Sequence, residues 1–139
     1  MKRVILTLAA FVAFNSNAQI KVQENTVKDS VVWRASKLNV VPSISRFVND
    51  GDTSFTIYYQ NSKYTAITDI RYLTIGDAET SKQFFGILLD VIDNDKKFNI
   101  EIGGEKLYIY KTMACAFISS DVSSFFLSRK HVESILQKF

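Results

Sequence analysis

The chain holds one cysteine, one histidine, one proline and five glycines in 139 residues. With Cys115 alone no intrachain disulfide can form, so stability has to come from packing. One histidine and one cysteine cannot assemble the usual zinc sites, and no metal or cofactor is expected. There is no internal repeat, no low-complexity stretch and no linker rich in proline, glycine or serine. A disordered chain and a string of modules are thereby excluded.

Long hydrophobic runs are also missing. Val4 to Phe14 is apolar and uncharged but falls short of the roughly 18 residues that span a bilayer. Preceded by Lys2 and Arg3 and followed by Ser16 and Ala18, it has the form of an export signal. Residues 1–18 are therefore read as a cleaved signal peptide, Gln19 as the new N-terminus, and the protein as periplasmic or secreted. Losing Lys2 and Arg3 lowers the formal net charge from +3 to +1. The basic balance is mostly a property of the signal. No Lys/Arg cluster remains to neutralise phosphates, and no nucleic-acid partner is expected.

What is present is apolar: 47% hydrophobic and 13% aromatic residues, enough for one core. Residues 19–139 are expected to form a single α+β domain, a predominantly antiparallel sheet with one central helix packed on it. Val27, Val31 and Trp33 fall on one side of a possible strand before Pro42. Ile44 to Val48 and Thr53 to Tyr59 flank Asp50-Gly51, a turn pair that tolerates positive φ, so Val48 lies opposite Thr53 and Ile44 opposite Ile57. The same turn explains Asn49, Asp50 and Asp52, which lack the ligand spacing of a calcium loop. Residues 66–75 read as a third strand, with Ile67 and Ile70 out of alternation and a bulge expected there.

Asp77 is a good N-cap for a helix over about 78–93, whose Phe84, Phe85, Ile87, Leu88, Leu89, Val91 and Ile92 share one arc. Phe98 to Ile102 alternates strictly and runs into Gly103-Gly104, a two-residue turn that sets Ile102 opposite Glu105 and Phe98 opposite Ile109. The second strand is expected to continue through Met113, Cys115 and Phe117 on the apolar side. Lys111 falls on that side, and a bulge turning it outward is expected. Ser128 then caps a short amphipathic helix over about 129–138.

Against this map the nucleophiles fare poorly. Cys115 and His131 are the only thiol and imidazole, and a hydrolase would need them in one cleft with an acid. Cys115 reads more simply as a small buried hydrophobe and His131 as a surface histidine. Asp90 and Asp93 can approach each other on the polar arc of the first helix, where a solvated face is the ordinary explanation. No catalytic residue is assigned.

One feature resists reduction to core or surface. Tyr108 and Tyr110 project from the face opposite Leu107 and Ile109, beside Asn99, Glu101 and Lys106. Aromatic rings next to hydrogen-bonding groups are what a protein or glycan partner contacts, because tyrosine offers large area at little entropic cost. These five residues form the candidate binding face of a noncatalytic binding or accessory module of the cell envelope. A structural or assembly subunit is the alternative, favoured if the terminal helix or a long sheet edge lies open. A second layer covering the tyrosines would remove the site.

Overall fold

Strand patterning and three left-handed turns build two four-stranded antiparallel sheets. They are seen in a computed structural model that describes residues 27–39, 41–64 and 66–139. The proposed signal segment and Gln19 lie outside the described residues. The first sheet has the order β1 (Lys28–Arg34), β2 (Ser43–Asn49), β3 (Asp52–Gln60), β4 (Ile70–Gly76). The second has the order β5 (Phe98–Ile102), β6 (Glu105–Thr112), β7 (Cys115–Ser119), β8 (Ser124–Ser128). Each strand pairs with its sequence neighbour, so both sheets are simple meanders. Helix α1 (Ala78–Asn94) joins them and α2 (Arg129–Leu136) ends the chain.

The turns set the register. Asp50 and Gly51 both take positive φ, and Val48 pairs with Thr53 and Ile44 with Ile57. Gly103 and Gly104 do the same for β5 and β6, with Ile102 opposite Glu105 and Phe98 opposite Ile109. Gly103 carries a second constraint. A Cβ there would lie 2.2 Å from the Thr74 carbonyl oxygen, so this turn packs directly onto β4. It is one of the places where the two sheets touch.

The core is one buried cluster drawn from both sheets and both helices. Phe84, Phe85, Leu88, Val91 and Ile92 of α1 meet Ile57, Leu73 and Ile75 of the first sheet and Leu107, Ile109, Ile118 and Leu127 of the second. The Asp77 side chain accepts from the Thr80 N–H at 2.8 Å and caps α1, and that bond holds its carboxyl below the usual range. Ser128 caps α2 by accepting from the His131 N–H. Among the described residues no helix is long and apolar enough to cross a membrane.

Four local expectations are corrected. Met113 and Ala114 both take positive φ, so β6 ends at Thr112 and β7 returns antiparallel instead of continuing. The reversal puts Cys115 and Phe117 on the outer face with Tyr110, Ala116 and Ile118 on the core face, and leaves Met113 at 95% exposure. The β6–β7 register runs without a break past Lys111, which needs no bulge: it reaches water because it lies near the end of the strand. A bulge does occur between Val31 and Trp33, so these two face opposite sides, Trp33 buried and Val31 half exposed. The irregularity expected near Ile67 and Ile70 lies instead between Phe55 and Thr56, opposite Gly76 and Thr74, while Ile67 precedes β4 altogether.

Candidate functional site

Pairing across three strands assembles the outer face of the second sheet. Asn99, Tyr108 and Ser119 form one row; Glu101 and Lys106 form the next toward the glycine turn. In the other direction Tyr110, Phe117 and Phe126 form a third row. The five residues singled out in the sequence therefore do share one face. Among the described residues no strand or helix lies over it: Asn99, Glu101, Lys106 and Tyr108 are exposed and Tyr110 is half-buried.

The rings interlock. Tyr108 and Tyr110 have centroids 5.2 Å apart at 36°, and Tyr110 and Phe117 lie 5.1 Å apart at 48°. These are tilted contacts within the range that favours aromatic pairs, so the ridge holds its shape without cover. Beside it is a depression of about 500 Å³ lined by Asn99, Glu101, Lys106, Tyr108, Ser119 and Asp121, among others. One ammonium and two carboxylates rim it, together with an amide and the hydroxyls of Ser119 and Ser120. Such a surface can stack on a flat apolar group and hydrogen-bond to its polar edge. Phe117 and Phe126 belong to the same ridge and were missed, because their placement depends on the Met113-Ala114 turn.

The remaining chemistry-bearing residues are not gathered. His131 lines a different cavity, of which Cys115 is not part. Rather than a surface residue it is half-buried, its ring edge-on to Trp33 at 5.7 Å, and burial holds its pKa below the ordinary histidine value, aided by the nearby Lys130 charge. Cys115 is half-buried on the outer face instead of sitting in the core. Asp90 and Asp93 have separate partners: Asp90 accepts from Asn94 at 2.6 Å and Lys96 at 3.0 Å, and Asp93 is paired with Arg129. The Lys96 and Asn94 contacts keep Asp90 below the usual carboxylate range. Among the described residues no group of three or more His, Cys, Asp or Glu is placed to hold a metal ion.

A structural polar cluster lies where the sheets meet at their other corner. The buried Asn61 side chain donates to Asp69 at 2.9 Å and accepts the Ser124 N–H at 3.1 Å, and the Ser62 N–H donates to the Ser124 carbonyl at 2.7 Å. Asn61 thus pins the end of β3 to the start of β8. Asp69, held also by Arg71, sits below the usual carboxylate range because of these two donors.

Comparison with family models, curated proteins and solved structures finds no match to this chain.

Proposed function

We propose that the protein is a small exported, noncatalytic binding or accessory module of the cell envelope, and that the outer face of its second sheet contacts a protein or glycan partner. The observation that carries the reading is the uncovered aromatic ridge of Tyr108 and Tyr110 bordering a depression rimmed by Asn99, Glu101 and Lys106. Rings that stand outside the core, one exposed and one half-buried, set beside unspent polar groups, are the composition of a recognition surface. The export half of the reading rests on the Lys2-Arg3 start, the short apolar run and the Ser16-x-Ala18 pattern.

Wild type and the double variant Tyr108→Ser/Tyr110→Ser are to be compared by affinity capture from envelope extract and on a glycan array. A partner retained by wild type should be weakened by at least about 1 kcal/mol in the double variant, at unchanged melting temperature. Equal retention by both proteins, or collapse of the double variant's fold, would overturn the binding face. For export, intact mass of the periplasmic or secreted protein should correspond to a chain beginning at Gln19. Material that keeps Met1 and stays in the cytoplasm would overturn it.

A further inference from the structure

A cavity of about 550 Å³ opens at the corner where β3, β8 and α2 come together, adjoining the Phe126 end of the aromatic ridge. Tyr59, Tyr64, Ile67, Phe125, Phe126 and His131 line much of it, and among the described residues no Asp, Glu, Lys or Arg takes part. Tyr59 and Phe125 stack with centroids 4.0 Å apart at 21°, each covering the other, and both are almost wholly buried, so the pair backs the cavity. The Tyr59 hydroxyl is already engaged by Ser123 at 2.7 Å, so the pair offers a guest only apolar surface. The nearby amides are committed to structure as well, Gln60 to the Ile67 carbonyl and Asn61 to Asp69 and Ser124. The imidazole of His131 is different. It makes no hydrogen bond with any described residue, and its ring is steadied by Trp33, whose Nε1 donates to the Ser134 hydroxyl at 3.0 Å.

We propose that this cavity is a binding site for a small, neutral, aromatic molecule that packs against Phe126, Ile67 and Tyr64 and hydrogen-bonds to His131. Its volume lies in the range of small-molecule sites, which are apolar with a few placed polar groups. Neutrality follows from the lining: a charged guest would lose its water with no opposite charge to meet it. The neutral imidazole offers one donor and one acceptor, enough for a single hydroxyl, amine or carbonyl on the guest. Ile67 and Phe126 remain largely exposed at the cavity in a protein with ample core elsewhere, and a guest is what would cover them. This site goes beyond the partner-binding face and shares none of its five residues.

The test is titration of the purified protein with N-phenyl-1-naphthylamine, a neutral aromatic amine that brightens in apolar surroundings. Saturable one-to-one binding is expected. Emission from Trp33, the only tryptophan, should fall in step, because its ring touches His131. Ile67→Glu and, separately, Phe126→Ser should weaken binding at least tenfold. Both positions are exposed, so both variants should keep the wild-type circular dichroism spectrum. His131→Phe should weaken binding severalfold while keeping the cavity apolar, and Tyr72→Ser, an exposed aromatic on the first sheet, should leave it unchanged. The sulfonated analogue 8-anilinonaphthalene-1-sulfonate should bind at least tenfold more weakly. Multiple equivalent probes per chain, equal affinity for the sulfonate, or indifference to both Ile67→Glu and Phe126→Ser would overturn the proposal.

Discussion

The two sheets present tyrosines on their outer faces in different company. On the first, Tyr58 and Tyr72 lie 6.2 Å apart among Phe47, Ser54, Thr56 and Thr74, around a depression of about 370 Å³. The neighbours there are short hydroxyls, and those of Thr56 and Thr74 bond to each other at 3.3 Å. On the second, Tyr108, with Tyr110 packed against it, borders an amide, an ammonium and two carboxylates. Exposure alone would favour the first pair, since Tyr72 is 65% exposed and Tyr108 only 41%. What separates the faces is unspent hydrogen-bonding capacity: hydroxyls that satisfy one another have less to exchange with a partner than exposed amide and charged groups do. On the proposed reading a partner contacts the second face and not the first.

That contrast holds only if both sheets belong to one cooperative body, which the largest predicted effect tests. Leu88 is fully buried in α1, which packs against β3 and β4 of one sheet and β6 and β7 of the other. Leu88→Ala should cost about 2–5 kcal/mol, read from denaturant unfolding, and the loss should appear in a single transition. Two separated transitions would mean that the sheets are independent and that their outer faces cannot be compared as parts of one surface.

The next effect concerns the contact between them. Gly103 and Gly104 both need positive φ, but only Gly103 meets the Thr74 carbonyl. Gly103→Ala should therefore cost about 2–4 kcal/mol, left-handed strain plus a backbone clash, and Gly104→Ala about 1–2 kcal/mol from strain alone. Equal losses would show that the β5–β6 turn does not press on β4.

The same turns explain how much of the molecule was legible in its sequence. Asp50-Gly51 and Gly103-Gly104 are residues that favour left-handed backbone, and once each turn is placed the alternation of side chains assigns every cross-strand pair. Asp77 and Ser128 mark the helix starts in the same local way. Met113-Ala114 makes an equivalent turn with residues that carry no such preference, so β6 and β7 read as one strand and Phe117 was assigned to the core. The bulge at Val32 is equally silent, since it is decided by Trp33 reaching the core and Ser134. The tyrosine face could be read because one hairpin builds it. The His131 cavity could not, because it joins residues near 60 to residues near 130 that no local pattern connects.

A smaller effect sharpens the contrast of the two faces directly. Tyr58→Ser/Tyr72→Ser should leave partner binding within about 0.5 kcal/mol of wild type, whereas Tyr108→Ser/Tyr110→Ser should weaken it by about 1 kcal/mol or more. Surface plasmon resonance with the captured partner measures both. A reversed order would transfer the binding role to the first sheet and break the argument from unspent polar groups.

The smallest effect is a pH dependence at the corner that neither face contains. Burial holds the His131 pKa below its ordinary 6.5, with the Lys130 charge as the lesser cause. The unfolded chain therefore takes up this proton more readily than the folded one. Stability from the neutral ring is complete above the unfolded value and is lost as pH falls through it toward the folded pKa. Asp69, Asp77 and Asp90 are depressed carboxylates, so their contribution is present above their ordinary 3.8 and is lost as pH falls below it, in a separate and more acidic window. Urea midpoints should thus decline gently for wild type from about pH 7.5 to 5, flatten over that interval in His131→Gln, and fall for both proteins only below about pH 4. A decline between pH 7.5 and 5 that survives in His131→Gln would mean that the imidazole is as well hydrated in the fold as out of it. The His131 side of the corner would then be an open surface, and the two sheets would be joined there by the Asn61, Ser62 and Tyr59 contacts to β8 and the turn before it.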